Sequence, residues 1–130
     1  MANMQYGYSK KVALSFEEAL AKIKENLAEK GFGVLTEIDV KTTMKKKLGI
    51  DYNNYVILGA CNPEFAHKAL QEEKEIGLLL PCNIIAYEDE DGVHVSAILP
   101  TVAMGMVNNP QLAEIAQSVE AKLKSAIDAL

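Results

Sequence analysis

Apolar side chains fall on alternate positions near the start of the chain, over residues 5–14, and this period of two predicts a first strand. Ser15 and Glu18 then have the spacing of a capping box, in which each side chain hydrogen-bonds the backbone N–H of the other residue. The apolar positions that follow recur every three or four residues and predict an amphipathic helix with the buried stripe Phe16, Leu20, Ile23 and Leu27. Gly31 is expected to end this helix in a left-handed conformation.

A second strand is predicted over residues 34–40, again from alternation. One side of this strand is expected to hold Val34, Thr36, Ile38 and Val40, and the other side Glu37 and Asp39. A short helix anchored by Met44 and Leu48 is then expected to stop at Gly49.

Val, Ile and Leu are concentrated in residues 55–62, which predicts a third strand that is buried on at least one face. Pro63 follows and suits the first turn of a helix, where its missing N–H would have no partner. The apolar side of that helix is expected to consist of Phe65, Ala66, Ala69 and Leu70.

The dipeptide Asp91-Gly92 is a type I′ turn signal, because both central residues of that turn need positive φ. It predicts a hairpin of the fourth and fifth strands, with Glu90 opposite Val93. One face of the hairpin would hold Ile84, Ala86, Val95, Ala97 and Leu99, and the other Tyr87, His94 and Ser96. A slip of one residue would expose the whole apolar set, so the alternation predicts which face is buried.

The C-terminal part of the chain predicts a long helix that begins at Pro110, with Asn108 or Asn109 as its cap. Its broad apolar stripe is Leu112, Ile115, Ala116, Val119, Leu123, Ala126 and Ile127. The element order is therefore strand, helix, four strands with short helical inserts, and a long helix. This order favours a two-layer α+β domain, in which a mostly antiparallel five-stranded sheet packs against the C-terminal helix.

Length, composition and charge limit the domain organisation and the kinds of partner that we expect for this chain. The chain has 130 residues, of which 49% are hydrophobic and 24% charged, so we expect a single domain spanning residues 1–130. A net charge of −5 is unfavourable for contacts with phosphates, and we expect no nucleic-acid partner. No apolar stretch has the length of a membrane span, and we expect no membrane partner. The first residues lack the pattern of a secretory signal, so we expect a cytoplasmic protein with free thiols.

Two cysteine-asparagine pairs, Cys61-Asn62 and Cys82-Asn83, are the strongest candidates for a functional site. Cys61 lies near the end of the third strand, and Cys82 at the start of the fourth, just after Pro81, which has no N–H to donate to a neighbouring strand. If the two strands are antiparallel neighbours, the end of one lies beside the start of the other. We therefore expect the two thiols to share one pocket opening, with Cys82 on the buried face of the sheet.

Three interpretations of these thiols stay open on the residues alone. Both cysteines can be small apolar core residues. They can instead be nucleophilic or redox-active, with Cys61 activated by the dipole of the helix that begins at Pro63. They can also bind a soft metal with His67, although their spacing matches no compact zinc motif. The two asparagines can likewise cap or turn the chain, or orient a ligand.

The succession GACNPEFAHKAL, followed by EIGLLLPCN, resembles domain-of-unknown-function family 302. The upstream segment EIDVKTTMKKKLGIDYNNYVILGACNP is similar to that family as well, and the resemblance covers about residues 16–100. The resemblance implies a small α+β fold like that of TATA-binding protein, with a curved antiparallel sheet that holds a long C-terminal helix. It also implies frequent homodimers, and it implies no particular reaction.

The sequence thus predicts a homodimeric small-molecule-binding module with a pocket formed by Cys61, Asn62, Cys82, Asn83 and His67. The alternative is a thiol- or metal-dependent redox enzyme that uses Cys61 and Cys82. No glycine-rich phosphate loop, catalytic triad or metal motif identifies a cofactor or a bound metal. Whether the chain is an enzyme therefore stays open. A third possibility is an interaction subunit whose partner covers the outer face of the hairpin.

Overall fold

The computed structural model describes residues 5–130, which form a five-stranded sheet and a set of helices. The strands are β1 (Gly7–Val12), β2 (Gly33–Asp39), β3 (Tyr55–Cys61), β4 (Cys82–Asp89) and β5 (Gly92–Ile98). The helices are α1 (Phe16–Glu29), α2 (Val40–Leu48), α3 (Pro63–Glu72), α4 (Pro100–Ala103) and α5 (Pro110–Asp128), with 3₁₀ segments at Lys74–Leu79 and Met104–Met106. All neighbouring strands are antiparallel, in the order β1-β5-β4-β3-β2. This confirms the α+β class and the five-stranded antiparallel sheet.

The helices α1 and α5 pack against each other and against one face of the sheet. Large and fully buried side chains in this layer include Ile23 and Leu27 of α1, Leu58 and Ile84 of the sheet, and Leu123 and Ile127 of α5. Asn26 is buried between the two helices and donates a hydrogen bond to the backbone oxygen of Ala126 at 3.0 Å. Within residues 5–130, no helix combines the length and the apolar character that crossing a membrane would require.

The helix ends predicted from local sequence are present. Ser15 Oγ accepts a hydrogen bond from the N–H of Glu18 at 3.1 Å, and Glu18 Oε1 accepts one from the N–H of Ser15 at 3.1 Å. Gly31 follows α1 with a φ of +86°. Asn109 caps α5 by accepting a hydrogen bond from the N–H of Leu112 at 3.1 Å. Local side-chain chemistry therefore determines where these helices begin and end.

The predicted sides of β2 are wrong, because the strand contains a bulge between Val34 and Thr36. The extra residue, Leu35, is exposed, and it reverses the alternation after Val34. Val34 therefore packs against the core, whereas Thr36 points to the opposite face of the sheet. Glu37 then lies on the helix-covered side, where its carboxylate contacts Lys24 of α1 at 2.6 Å.

Residue Val40, expected in β2, is instead the first residue of α2. The side chain of Asp39 caps this helix by accepting a hydrogen bond from the N–H of Thr42 at 3.0 Å. Gly49 ends the helix with a φ of +68°, as predicted. Leu48 was expected to anchor the helix, but it is 66% exposed, and α2 contains no buried residue.

The β4–β5 hairpin is present, but its register differs from the prediction by two residues. Asp89 pairs with Gly92, so the two loop residues are Glu90 and Asp91, and Glu90 does not pair with Val93. The turn is not type I′, because no non-glycine residue of the described chain has positive φ, whereas Gly92 has a φ of +131°. A shift of two residues preserves the side-chain alternation, so the predicted buried face of the hairpin is the observed one.

The helix α3 begins at Pro63, as predicted, but its apolar side is smaller than expected. Ala69 is buried, and Phe65 and Ala66 are half-buried. Leu70 was expected on the same side and is exposed. α3 therefore lies at the margin of the core, near the start of β4.

Candidate functional site

The pairing of β3 with β4 determines where the two cysteines lie. Ala60 of β3 pairs with Cys82, the first residue of β4, so Cys61 at the end of β3 lies beside the start of β4. Both cysteines line one small cavity between the sheet and the helices, and both are free thiols. The structure thus brings both cysteines to the lining of one cavity, and their role in binding stays a prediction.

The cavity has apolar walls. About 30 Å³ is open to the centres of water-sized molecules, whereas one water needs about 10–15 Å³ by that measure. The walls include Phe32, Phe65 of α3, and Ile115 and Val119 of α5. Among the described residues, no charged side chain lines this cavity. An occupant therefore has to be small and compatible with apolar surroundings.

Met104 lines the cavity from the helical side and is 7% exposed. It follows α4, which is attached to α5 through Glu120. Glu120 Oε1 accepts hydrogen bonds from the N–H of Thr101 at 3.0 Å and from its hydroxyl at 2.6 Å. Partial burial opposes ionisation of this carboxyl, but the hydrogen bonds from Thr101 and the nearby Lys124 ammonium together outweigh it and lower the pKa of Glu120. The segment that carries Met104 is thus attached to the helix that forms the cavity wall.

The two thiols differ in burial. Cys82 is 7% exposed, while Cys61 is half-buried at the strand end. Burial, and next the proximity of Cys61, raise the pKa of Cys82 to about 11. At neutral pH Cys82 is therefore a protonated thiol, which is a poor nucleophile.

Asn62 occupies the N-cap position of α3, as predicted, but its side chain makes no capping hydrogen bond to that helix. Its Nδ2 instead donates to the backbone oxygen of Lys30 at 3.4 Å, beyond the end of α1. A side chain at Gly31 would place its Cβ 3.2 Å from this Nδ2. Asn62 therefore connects the start of α3 to the end of α1 while it lines the cavity.

Asn83 and His67 do not join the cavity. Asn83 is exposed on the face of the sheet opposite to Cys82, because side chains alternate along β4. His67 is exposed on α3 and does not contact the cavity. Five residues were predicted to form one pocket. The structure brings three of them to the cavity: Cys61, Asn62 and Cys82.

The sheet face away from α1 and α5 carries a row of stacked rings. The ring centroids of Tyr55 and Tyr87 are 5.5 Å apart with an interplanar angle of 15°. Those of Tyr87 and His94 are 4.9 Å apart with an angle of 16°. Ile85 and Ile98 lie on the same face and line a shallow groove. This face therefore presents aromatic and aliphatic surface.

His94 was predicted on the outer face and lies there, but stacking leaves it only 5% exposed. Its Nε2 is 2.9 Å from Asp91 Oδ1 and 3.5 Å from Asp89 Oδ1. A side-chain hydrogen bond with Asp89, and next the His94 ring, hold the pKa of Asp91 at about 2. These contacts join Asp89 and Asp91 in the hairpin loop to the ring of His94 on β5.

Sequence reasoning missed most of the cavity wall. Phe32 follows Gly31 after α1, where no periodic pattern indicates the direction of its side chain. Ile115 and Val119 belong to the apolar stripe of α5, which predicts burial in the core and gives no indication of a cavity. Met104 lies in an apolar segment without regular periodicity, so its side-chain direction had no signal. These residues meet at the cavity only because α3 and α5 pack beside the start of β4.

Comparison with known proteins places the chain in a family. The family model described as "Domain of unknown function DUF302" matches residues 8–130. An uncharacterized protein of Aquifex aeolicus (strain VF5) is 30% identical over 125 residues, which is 92% of this chain and 81% of that protein. The crystal structure of an uncharacterized conserved protein DUF302 from Bacillus stearothermophilus has a TM-score of 0.90, with 32% identity over 96% of this chain and 98% of that chain. The chain therefore belongs to the DUF302 family.

Proposed function

We propose that the chain is a cytoplasmic, homodimeric binding module whose cavity beside Cys61 and Cys82 takes a small apolar or thiol-reactive molecule. The observation that carries this proposal is the presence of two free cysteines in the lining of one apolar cavity at the junction of β3 and β4. Binding pockets combine apolar walls with a few polar or reactive groups, and this cavity has that composition. A thiol redox enzyme is less well supported, because the raised pKa of Cys82, about 11, keeps its sulfur protonated.

The size of the cavity limits the ligand to a few atoms. The open space of about 30 Å³ exceeds what one water needs, about 10–15 Å³, but the apolar walls offer few hydrogen-bond partners to a water. An apolar gas atom or a small group transferred to a thiol fits these conditions better. Entry is expected beside Cys61, the more exposed of the two thiols.

Two small probes test the cavity: xenon, which is apolar, and methyl methanethiosulfonate, which transfers a CH₃S group to a thiolate and releases methanesulfinate. The readout is the NMR signal of the Met104 methyl group, with Met106, which is 76% exposed, as internal reference. We expect both probes to shift the Met104 signal and leave the Met106 signal unchanged. Ala66→Leu should fill the cavity and abolish the xenon shift, whereas Ala113→Leu on the exposed side of α5 should preserve it. A Met104 signal that neither probe moves would contradict the proposal.

The homodimer is proposed to form through the outer sheet face, with a second copy of the chain as the partner. The central outward positions of β4 and β5 carry no charged group: Asn83, Ile85, Tyr87, Ser96 and Ile98. Two copies of such a face can meet without like-charge repulsion, and aromatic residues are enriched at protein interfaces. The resemblance to a family with frequent homodimers agrees with this arrangement.

Sedimentation equilibrium at micromolar concentration tests the dimer. We expect the wild-type chain to be a dimer and Ile85→Glu to be a monomer, because the new carboxylate would be desolvated at the centre of the interface. Leu78→Glu is the matched control, since Leu78 is exposed away from this face on the 3₁₀ segment Lys74–Leu79. A monomeric wild-type chain would exclude the dimer.

A further inference from the structure

Two surfaces of opposite charge border one open cleft of the molecule. The acidic surface is residues 88–91 of the β4–β5 hairpin, which are four consecutive carboxylates. The basic surface is α2, whose four lysines are all exposed: Lys41, Lys45, Lys46 and Lys47. The cleft between them is lined by Lys41 and by all four acidic residues. The chain therefore presents positive and negative charge side by side.

The two surfaces do not neutralise each other within the chain. Among residues 5–130, no ion pair joins a lysine of α2 to the acidic surface. Lys45 instead contacts Asp51 at 3.2 Å, and Asp91 lies 4.0 Å from Lys11 on β1. Lys41 and Glu90 are exposed and make no ion pair in this part of the chain. These charges are therefore available to a partner.

The topology places the two surfaces symmetrically about the middle of the sheet. β3 begins at Tyr55, which pairs with Tyr87 near the hairpin loop, and α2 follows directly on Asp39 at the end of β2. Both surfaces thus lie at the same end of the strands. In the strand order β5-β4-β3-β2, the loop joins the first two strands and α2 follows the last. A two-fold axis parallel to the strands, near β3 and β4, therefore brings the basic surface of one copy onto the acidic surface of the other, twice.

This axis passes through the apolar part of the outer sheet face. Ile38, Ile57 and Ile85 are cross-strand neighbours on β2, β3 and β4, and Ile38 is 48% exposed. The cleft adjoins the same face through Tyr52, whose ring centroid is 6.4 Å from that of Tyr55. Protein interfaces combine an apolar centre with a polar rim. The two charged surfaces have the position of such a rim.

Net charge makes the orientation of the two copies matter. Each chain carries a net charge of −5, so two copies repel each other at long range. An orientation that places one acidic surface on the other adds to this repulsion. An orientation that places opposite charges together reduces it, and electrostatic complementarity of this kind determines how two surfaces align.

Building on the proposed homodimer, which this inference requires, we propose that the basic surface of each copy binds the acidic surface of the other. The partner of the charged cleft is thus a second copy of the same chain. The apolar face supplies the centre of the contact, and Lys41 and Glu90 of opposite copies meet at its rim.

Sedimentation equilibrium of charge-reversed variants tests this arrangement. Lys41→Glu and Glu90→Lys should each raise the Kd of the dimer at least about tenfold, because like charges then meet at both contacts. An equimolar mixture of the two variants should dimerise again, since opposite charges face each other twice in the mixed dimer. Lys22→Glu on the exposed side of α1 is the control. It makes the chain as acidic as Lys41→Glu does and should stay close to the wild-type Kd.

Net charge alone cannot produce this result, because Glu90→Lys makes the chain less acidic and should still weaken the dimer. A wild-type Kd for either variant alone would overturn the arrangement. A mixture that stays monomeric would overturn it as well.

Cross-linking of the wild-type chain gives an answer that does not depend on how the variants fold. A carbodiimide activates a carboxylate, and a neighbouring lysine amine displaces the activating group as a urea and forms an amide bond. In a reassociated mixture of unlabelled and ¹⁵N-labelled chains, a cross-linked peptide with both labels joins two copies. We expect such peptides to join α2 to residues 88–91. Mixed-label peptides that join only other residues would overturn the arrangement.

The Ile85→Glu experiment separates failure of this arrangement from failure of the proposed homodimer. If Ile85→Glu is monomeric while both charge reversals keep the wild-type Kd, the outer-face dimer stands and the charged surfaces take no part in it. If the wild-type chain is itself a monomer, both the dimer and this arrangement are wrong.

Discussion

Gly59 lies on β3 at a point where the neighbouring chain leaves no room for a side chain. A Cβ at this position would meet Thr36 Oγ1 at an impossibly short distance and would lie 2.8 Å from Pro81 Cγ. Thr36 comes from β2 and Pro81 from the residue before β4, so both neighbours of β3 close over the glycine. The close approach of Thr36 and Pro81 therefore requires a glycine at position 59.

Substitution Gly59→Ala should therefore destabilise the protein by about 1–3 kcal/mol, the usual cost of overpacking. Urea unfolding measures the change. Thr36→Ala in the same chain should recover part of the loss, because it removes the closest atom and leaves the contact with Pro81. Gly77→Ala is the control, since no atom lies within 4 Å of its Cβ position. Equal stability of Gly59→Ala and Gly77→Ala would contradict the packing argument.

Because Cys82 is buried, we expect the free energy of unfolding to fall at alkaline pH. Burial first, and Cys61 second, raise its pKa from 9.0 to about 11 in the folded chain. The folded state therefore holds the thiol proton more tightly than the unfolded state. This contribution is fully present below pH 9, and it is lost as pH rises through about 11.

The expected loss reaches about 2–3 kcal/mol at the top of this window, from a shift of about two pKa units. Unfolding free energies between pH 8.5 and 11 should fall more steeply for the wild-type chain than for Cys82→Ala. The comparison removes the contribution of tyrosines and lysines to the pH dependence, because these residues are the same in both chains. Parallel pH profiles would show that Cys82 is not the group responsible.

At the scale of single residues, the sequence predicted which side chains are buried better than it predicted their hydrogen-bond partners. Alternation along the hairpin placed Cys82 on the buried face, because that face is determined by apolar neighbours two residues apart. The partner of Asn62 was not predictable. Its amide donates to Lys30, which is 32 positions away along the chain and comes near only through tertiary packing.

Among the elements, the β4–β5 hairpin shows how a glycine sets a turn. Gly92 has a φ of +131°, a conformation that other residues rarely adopt, and its Cβ position lies 3.1 Å from Lys11 Cε. Gly92→Ala should destabilise the protein by about 1–3 kcal/mol through backbone strain. Thermal or urea unfolding measures this, and Gly105→Ala, which has neither positive φ nor a close neighbour, should change stability much less. A Gly92→Ala variant as stable as the wild-type chain would mean that the hairpin can adopt another turn.

Strand register was the part of each element that local patterns did not determine. The Asp91-Gly92 signal correctly indicated a hairpin, but the turn is formed by Glu90 and Asp91 and leaves Gly92 in the strand. In β2, the bulge at Leu35 reversed the predicted sides, because a period of two cannot reveal an inserted residue. Helix boundaries were more predictable, since Ser15 and Asn109 satisfy nearby backbone N–H groups within three residues.

For the whole molecule, stability should depend on the layer formed by α1, α5 and the sheet. Leu123→Ala removes a buried side chain from α5 and should cost about 2–5 kcal/mol. Leu48→Ala removes the same atoms from an exposed position on α2 and should change stability by less than about 0.5 kcal/mol. Urea unfolding of the two variants compares them directly. A large loss in Leu48→Ala would mean that α2 is covered in solution, for example by a partner chain.

The sequence by itself determined the element order, the α+β class and the buried faces of the long helices and the hairpin. These follow from hydrogen bonds and apolar periods that act within a few residues of one another. Only the tertiary structure decided the strand registers, the separation of Asn83 and His67 from the cavity, and the position of Met104 opposite the two thiols. Those features depend on contacts between segments far apart in the chain, where packing of whole layers determines the distances and no local pattern carries the information.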